Sequence, residues 1–215
     1  MTAKATSVSM GCSLVLAIAL LSRGVAEANL VENGGFETGD FSGWEVTSDT
    51  AHGGCQRVGS DVSVCGAVDL DPGPHGGGFA AYLGQPSAFD PGLLSQSIGT
   101  VPGQSYTLDF WLANLSFDGS STPNDFQVTW NGTVVLSLQD KPAFGYSEFT
   151  MPGLLATGSI TTLQFIEHQN PAGFVLDDVS VTSSVTQVPE PGLSALLAIG
   201  FIGLVGLRMR AAASL

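Results

Sequence analysis

The chain has 215 residues, among them 28 glycines and 11 prolines; only 12% of its residues are charged, and its formal net charge is −13. An apolar segment stands at each end, which leaves a middle long enough for one β-sandwich and too short for two domains of ordinary size. Over 29–187 Arg57 and Lys141 face 17 Asp and Glu, a net of −15, so no basic footprint exists to neutralise phosphates and nucleic acid is excluded as a partner.

In chain order, residues 1–28 read as an export signal. MTAK supplies a positive start, SLVLAIALLS is an apolar run too short to span a bilayer comfortably, and Ala26-Glu27-Ala28 has the small-x-small spacing of a signal-peptidase site. Cys12 precedes the apolar run and leaves with the signal. Cys55 and Cys65 then form an even pair in a chain bound for an oxidising compartment, and a disulfide between them would close a small loop, contributing about 2–3 kcal/mol. Neither cysteine has a CxxC partner or a histidine close behind it, which speaks against zinc.

The middle reads as strands. From Ser105 to Leu115 the residues Tyr106, Leu108, Phe110 and Leu112 take one face and Thr107, Asp109, Trp111 and Ala113 the other, a period of two. DFQVTW, Asn131-Gly132 and TVVLSL read as strand, type I′ turn and strand, because Asn-Gly tolerates the positive φ that such a turn requires. Further strands are expected at 79–83, 93–98, 146–151, 160–167 and 174–182. No amphipathic helix of three turns intervenes, so the fold class is all-β, two antiparallel sheets packed as a sandwich. In FVLDDVSV, Phe174 and Leu176 share a phase that Val179 and Val181 do not. The slip at Asp177-Asp178 predicts a bulge that turns a carboxylate away from the ladder.

Candidate chemistry is sparse. An outward Trp111 beside Asp109 could stack against the CH-rich face of a sugar while the carboxylate takes a hydroxyl, or the indole could be buried between layers. Trp44 and Trp130 are expected in the core. His75-Gly76-Gly77-Gly78 has the look of an esterase oxyanion loop, but no GxSxG follows, and it reads as a glycine turn. His52, His75 and His168 are scattered, with no HExxH. Carboxylates suffice in number for a glycosidase pair, whose separation in space no chain spacing can establish.

The tail begins at 187. Pro189-Glu190-Pro191 rejects helix, 192–207 is an uninterrupted apolar or small run, and Arg208 and Arg210 follow. Sixteen residues at 1.5 Å each are somewhat short for a hydrocarbon core of about 30 Å, and the arginines would stay cytoplasmic, leaving the domain outside the inner membrane. Val188-Pro189-Glu190-Pro191, the short transmembrane helix and the basic end at 208–215 closely resemble the PEP-CTERM sorting signal of Gram-negative bacteria. That resemblance implies recognition by an exosortase, a membrane enzyme, and delivery to the cell surface or extracellular matrix.

NLVENGGFETGDFSGW, LLSQSIGTVPGQSYTLDFWLAN and FVLDDVSV, spread over the domain at 29–186, resemble exported domains that precede such tails. Those in turn are similar to carbohydrate-binding modules with the galactose-binding-like jelly-roll fold. The resemblance implies a jelly roll and a structural calcium tying the first strand region to the last, with Glu37 and one of Asp177 or Asp178 as ligands; solvated turn carboxylates are the alternative. The expected protein is therefore an exported, noncatalytic sandwich that could hold polysaccharide. A carbohydrate-active hydrolase and a purely structural matrix protein stay open beside it.

Overall fold

Alternation along the chain becomes two sheets in the computed structural model, which describes residues 28–47, 54–60, 72–84, 90–170 and 172–184. Among these are ten strands: β1 Glu45–Thr47, β2 Cys55–Gly59, β3 Ala80–Gly84, β4 Gly92–Gly99, β5 Ser105–Asn114, β6 Asn124–Trp130, β7 Thr133–Gln139, β8 Phe144–Leu155, β9 Ile160–Gln169 and β10 Phe174–Ser183. One sheet has the order β1-β4-β9-β6-β7, the other β2-β3-β10-β5-β8, and every pairing is antiparallel. Eight of the strands coincide with those expected from periodicity. The short β1 and β2 carry no clean alternation, and they form because β4 and β3 offer them an edge.

The core lies between the sheets. Tyr106, Leu108, Phe110 and Leu112 of β5 point into it, at most 3% exposed, as their period of two predicts. Opposite them, Phe126 of β6 and Phe165 of β9 are fully buried. Phe165 meets Phe110 edge to face at 5.3 Å, and Phe126 lies 5.0 Å from Phe174 of β10. Removing one such ring opens a void that costs about 3–5 kcal/mol. Trp44 and Trp130 are buried as expected. Asn131 and Gly132 join β6 to β7 with φ of 50° and 79°, the positive pair that a type I′ turn demands.

The first residues of the domain lace onto β10. Asn29 Oδ1 accepts the amides of Val31 and Val181, and Val179 N–H donates to Gly34 O at 2.9 Å. A Cβ at Gly34 would overlap the Val179 carbonyl, so only glycine permits this approach. Register along β10 and β5 shifts between Asp177 and Ser180, and Asp178 has φ 50°. The expected bulge is there, and it places Asp178 beside Gly35 and Gly76.

Candidate functional site

Two polar constellations stand out, one on the outer face of each sheet. The first gathers Glu37, Asp177 and Asp178 around the bend at 75–79, beside the bulge in β10. Asp177 Oδ2 accepts N–H bonds from His75 at 2.8 Å and Gly76 at 3.1 Å, and its Oδ1 accepts from Asp178 at 2.7 Å. Glu37 accepts from Gly78, at 2.9 and 3.0 Å on its two oxygens, and from Phe79 at 3.0 Å. His75 Nδ1 lies 2.7 Å from Asp178 Oδ2. Burial pushes the Asp177 carboxyl up to about 6, against its backbone hydrogen bonds and with the charge of Asp178. The Tyr146 phenol is raised by burial and then by Asp177, while its hydroxyl donates to Gly73 O at 3.0 Å.

The glycine run at 76–78 is thus an anion cradle: successive amides turned inward toward carboxylates. Carboxylate bulk sets its composition, since a Cβ at Gly76 would come within 2.7 Å of Asp178 Oδ2 and one at Gly77 would overlap Glu37. The residues expected to bind calcium are therefore neighbours, but the groups facing them are N–H donors. Among the described residues no group of three or more His, Cys, Asp or Glu is arranged to hold a metal ion. As built, the donor set does not fit a cation, which would have to take Glu37 from the amides of Gly78 and Phe79.

Trp111 is half-buried on the outward face of β5, the phase expected for it. One side of its indole is covered by the His75 ring, whose centroid is 3.8 Å away with the planes at 14°. Tyr146 abuts the same imidazole edge to face, and Asp109 is engaged by Thr150, whose hydroxyl donates at 2.6 Å. The pair expected to form a sugar platform is thus tied into the surface of its own sheet.

The second constellation is a cavity of ≈ 320 Å³ on the other sheet, lined by Asp125, Gln127, Gln139, Asp140, Ile166 and His168 together with Pro91, Pro123, Asn124 and Glu167. Register builds it. Asp125 of β6 is paired with Gln139 of β7 on one side and His168 of β9 on the other, a polar rung across three strands. On the next outward rung Gln127 pairs with Ile166, which pairs in turn with Leu93 of β4. Gln127 Nε2 reaches Asp125 Oδ2 at 3.4 Å, while Asp125 Oδ1 is buried and makes no hydrogen bond.

Polar bonds behind the cavity hold its rim. Asn124 donates to the carbonyls of Ser121 and Lys141 and accepts the Lys141 amide at 3.0 Å. Asn114 donates to Lys141 O and Pro142 O, and Gln169 ties Asn114, Leu115 and Ser121 together. Beneath the wall, Glu167 is 2% exposed and accepts from Gln56 of β2 at 3.1 Å, a bond between the sheets. Gly92 makes room for it, because a Cβ there would overlap both side chains. Of the lining residues only His168 was named from the sequence, and there as one of three scattered histidines. The only local signal is that Asp125 and Gln127 occupy the outward phase of a strand whose other phase is apolar.

Cys55 opens β2 as half of a disulfide; Cys65 lies outside the described residues. So do the export signal up to Glu27, Val188 to Pro191, the apolar run and Arg208 and Arg210. Among the described residues no helix is long and apolar enough to cross a membrane.

No family model matches the sequence, and no curated protein matches it. Solved structures do match in shape. The TmCBM61 module, in complex with β-1,4-galactotriose, superposes with a TM-score of 0.51 at 18% identity over 73% of this chain and 99% of the module. The K3 cleaved adhesin domain of Lys-gingipain from Porphyromonas gingivalis W83 gives 0.51 at 15% identity, over 73% of this chain and 99% of that one. The enzymatically active domain of tailspike protein 4 of bacteriophage CBA120 gives 0.51 at 16% identity, over 72% of this chain but 21% of its own. At these identities the likeness establishes the fold, a β-sandwich of the kind that carbohydrate-binding modules use.

Proposed function

We propose that this chain is an exported, noncatalytic β-sandwich that holds polysaccharide in the cavity between Asp125, Gln127, Gln139, Asp140, Ile166 and His168. The observation that carries the reading is the make-up of that cavity. Carboxylates, carboxamides and an imidazole converge on a space of saccharide size, beside an isoleucine and two prolines, which is the mixture of few polar groups and apolar wall that binds a hydroxyl-rich ring. The sandwich shared with carbohydrate-binding modules supports it.

A glycan array probed with the full chain tests the proposal. Binding without release of reducing sugar, lost in a Gln127→Ala/His168→Ala double variant, is the expected result. Binding untouched by that variant overturns this site, release of reducing ends abolished by Asp125→Asn favours a hydrolase, and no binding favours a purely structural matrix protein.

The remaining proposals rest on sequence. Export is ascribed to 1–28 and surface or matrix delivery by an exosortase to Val188-Pro189-Glu190-Pro191 with Arg208 and Arg210; changing 189–191 to three alanines should leave uncleaved protein in the inner membrane. Equal display of that variant would remove the sorting reading. A Cys55–Cys65 pairing is to be read from non-reduced peptide mapping. Calcium at Glu37 with Asp177 or Asp178, which the resemblance implies, would have to displace the amides those carboxylates accept, and a calcium-specific rise in melting temperature is what would reinstate it.

A further inference from the structure

Charge in the cavity limits what kind of sugar can enter. Asp125 and Asp140 line it, Glu167 stands in its wall, and none of its lining residues is Lys or Arg. Lys141, one residue beyond, lines instead the neighbouring apolar groove of Leu138, Pro142, Phe144 and Phe149. Around it, 29–187 carries a net of −15. Within this anionic space one acceptor is unfilled. Asp125 Oδ1 is removed from solvent without a hydrogen bond, and its partner oxygen has only the long contact from Gln127. Oδ1 is closed to a ligand as it is to water, so the oxygen of Asp125 that a sugar N–H or O–H can reach from the cavity is Oδ2, which the long contact from Gln127 leaves with room for a better donor.

We propose that the cavity discriminates by charge, taking saccharides that present a donor to Asp125 in the order protonated amino sugar, neutral sugar, uronate. This rests on the glycan-binding reading above and deepens it. An ammonium makes a charge-assisted bond to Asp125, stronger than that of a hydroxyl. A uronate brings a third carboxylate beside Asp125 and Asp140, and like charges in a partly desolvated site oppose one another. Gln127, Gln139 and His168 then serve the hydroxyls common to all three sugars, which sets the affinity on which the charge preference is superimposed.

The test uses β-1,4-linked tetramers of glucosamine, glucose and glucuronate with the full chain at mildly acidic pH and low salt. Titration calorimetry should give a step of about tenfold in Kd at each change of charge, shrinking as salt is raised. Asp125→Asn should bring the glucosamine and glucose tetramers to within about twofold of one another while keeping the glucose tetramer bound, and Asp140→Asn should narrow the gap in part. Glu148→Gln, on β8 of the other sheet, lowers the net negative charge equally and should leave the ratio as it is. Equal affinity for all three tetramers, or a preference that survives Asp125→Asn, overturns the charge selection and leaves the glycan-binding site standing. Binding of none of them, with no other glycan bound on the array, overturns both.

Discussion

Replacing Gly77 by alanine is the sharpest perturbation of the carboxylate cradle. Gly77 has φ 62°, so any side chain there meets the left-handed penalty of about 1–2 kcal/mol. Its Cβ would also overlap the Glu37 carboxylate, forcing it off the amides of Gly78 and Phe79. Hydrogen bonds to a charged acceptor contribute about 1.5–3 kcal/mol when buried; discounted for the exposure of Glu37, the pair is worth about 1–2 kcal/mol here. Gly77→Ala should therefore cost about 2–4 kcal/mol in denaturant unfolding followed by tryptophan fluorescence. In a Glu37→Ala background the collision is gone and only the backbone penalty remains, so the same change should cost about 1–2 kcal/mol. A cost that is the same in both backgrounds, within about 0.5 kcal/mol, would refute the argument that Glu37 is seated on this loop.

Because backbone amides occupy Glu37 and Asp177, calcium chloride should move the melting temperature no more than sodium chloride of equal ionic strength; a calcium-specific rise lost in Glu37→Gln and Asp178→Asn would instead show a cation displacing those amides. Gly92→Ala should push Gln56 away from Glu167 and destabilise the fold by about 2–4 kcal/mol, measured by thermal unfolding, since its Cβ collides with two packed side chains and breaks the bond between them. Asp177, pushed up to about 6 by burial, holds its proton more tightly folded than unfolded. Its contribution to stability is therefore full below the ordinary carboxylate value of about 4 and is lost as pH rises to about 6. Asp177→Asn should flatten the fall in stability across that window in pH-dependent denaturation, and an unchanged slope would place the proton elsewhere.

What chain pattern alone determined is the local part of the fold. The alternation in β5 assigns Leu108 and Phe110 to the core and Trp111 to the outside, Asn131-Gly132 writes its own turn, and the phase slip at Asp177-Asp178 announces the bulge. Each depends on φ and ψ preferences or side-chain direction within a few residues, which the sequence states directly. Glu37 and the Asp pair were legible as a meeting point only through resemblance, and their partners were not. The glycines of 76–78 read as a turn, and only the docked loop shows that their amides are spent on carboxylates some 40 and 100 positions away. That His75, far from Trp111 in sequence, covers one face of its indole was likewise not legible from the strand pattern. The cavity was invisible for the same reason in stronger form. Gln139, Asp125 and His168 form a rung only in one register of β7, β6 and β9, and a slip of one residue would turn each of them to the other face. Such register is settled by the burial of Phe126, Val128, Leu163 and Phe165 against the opposite sheet, a property of the packed whole that no single strand carries.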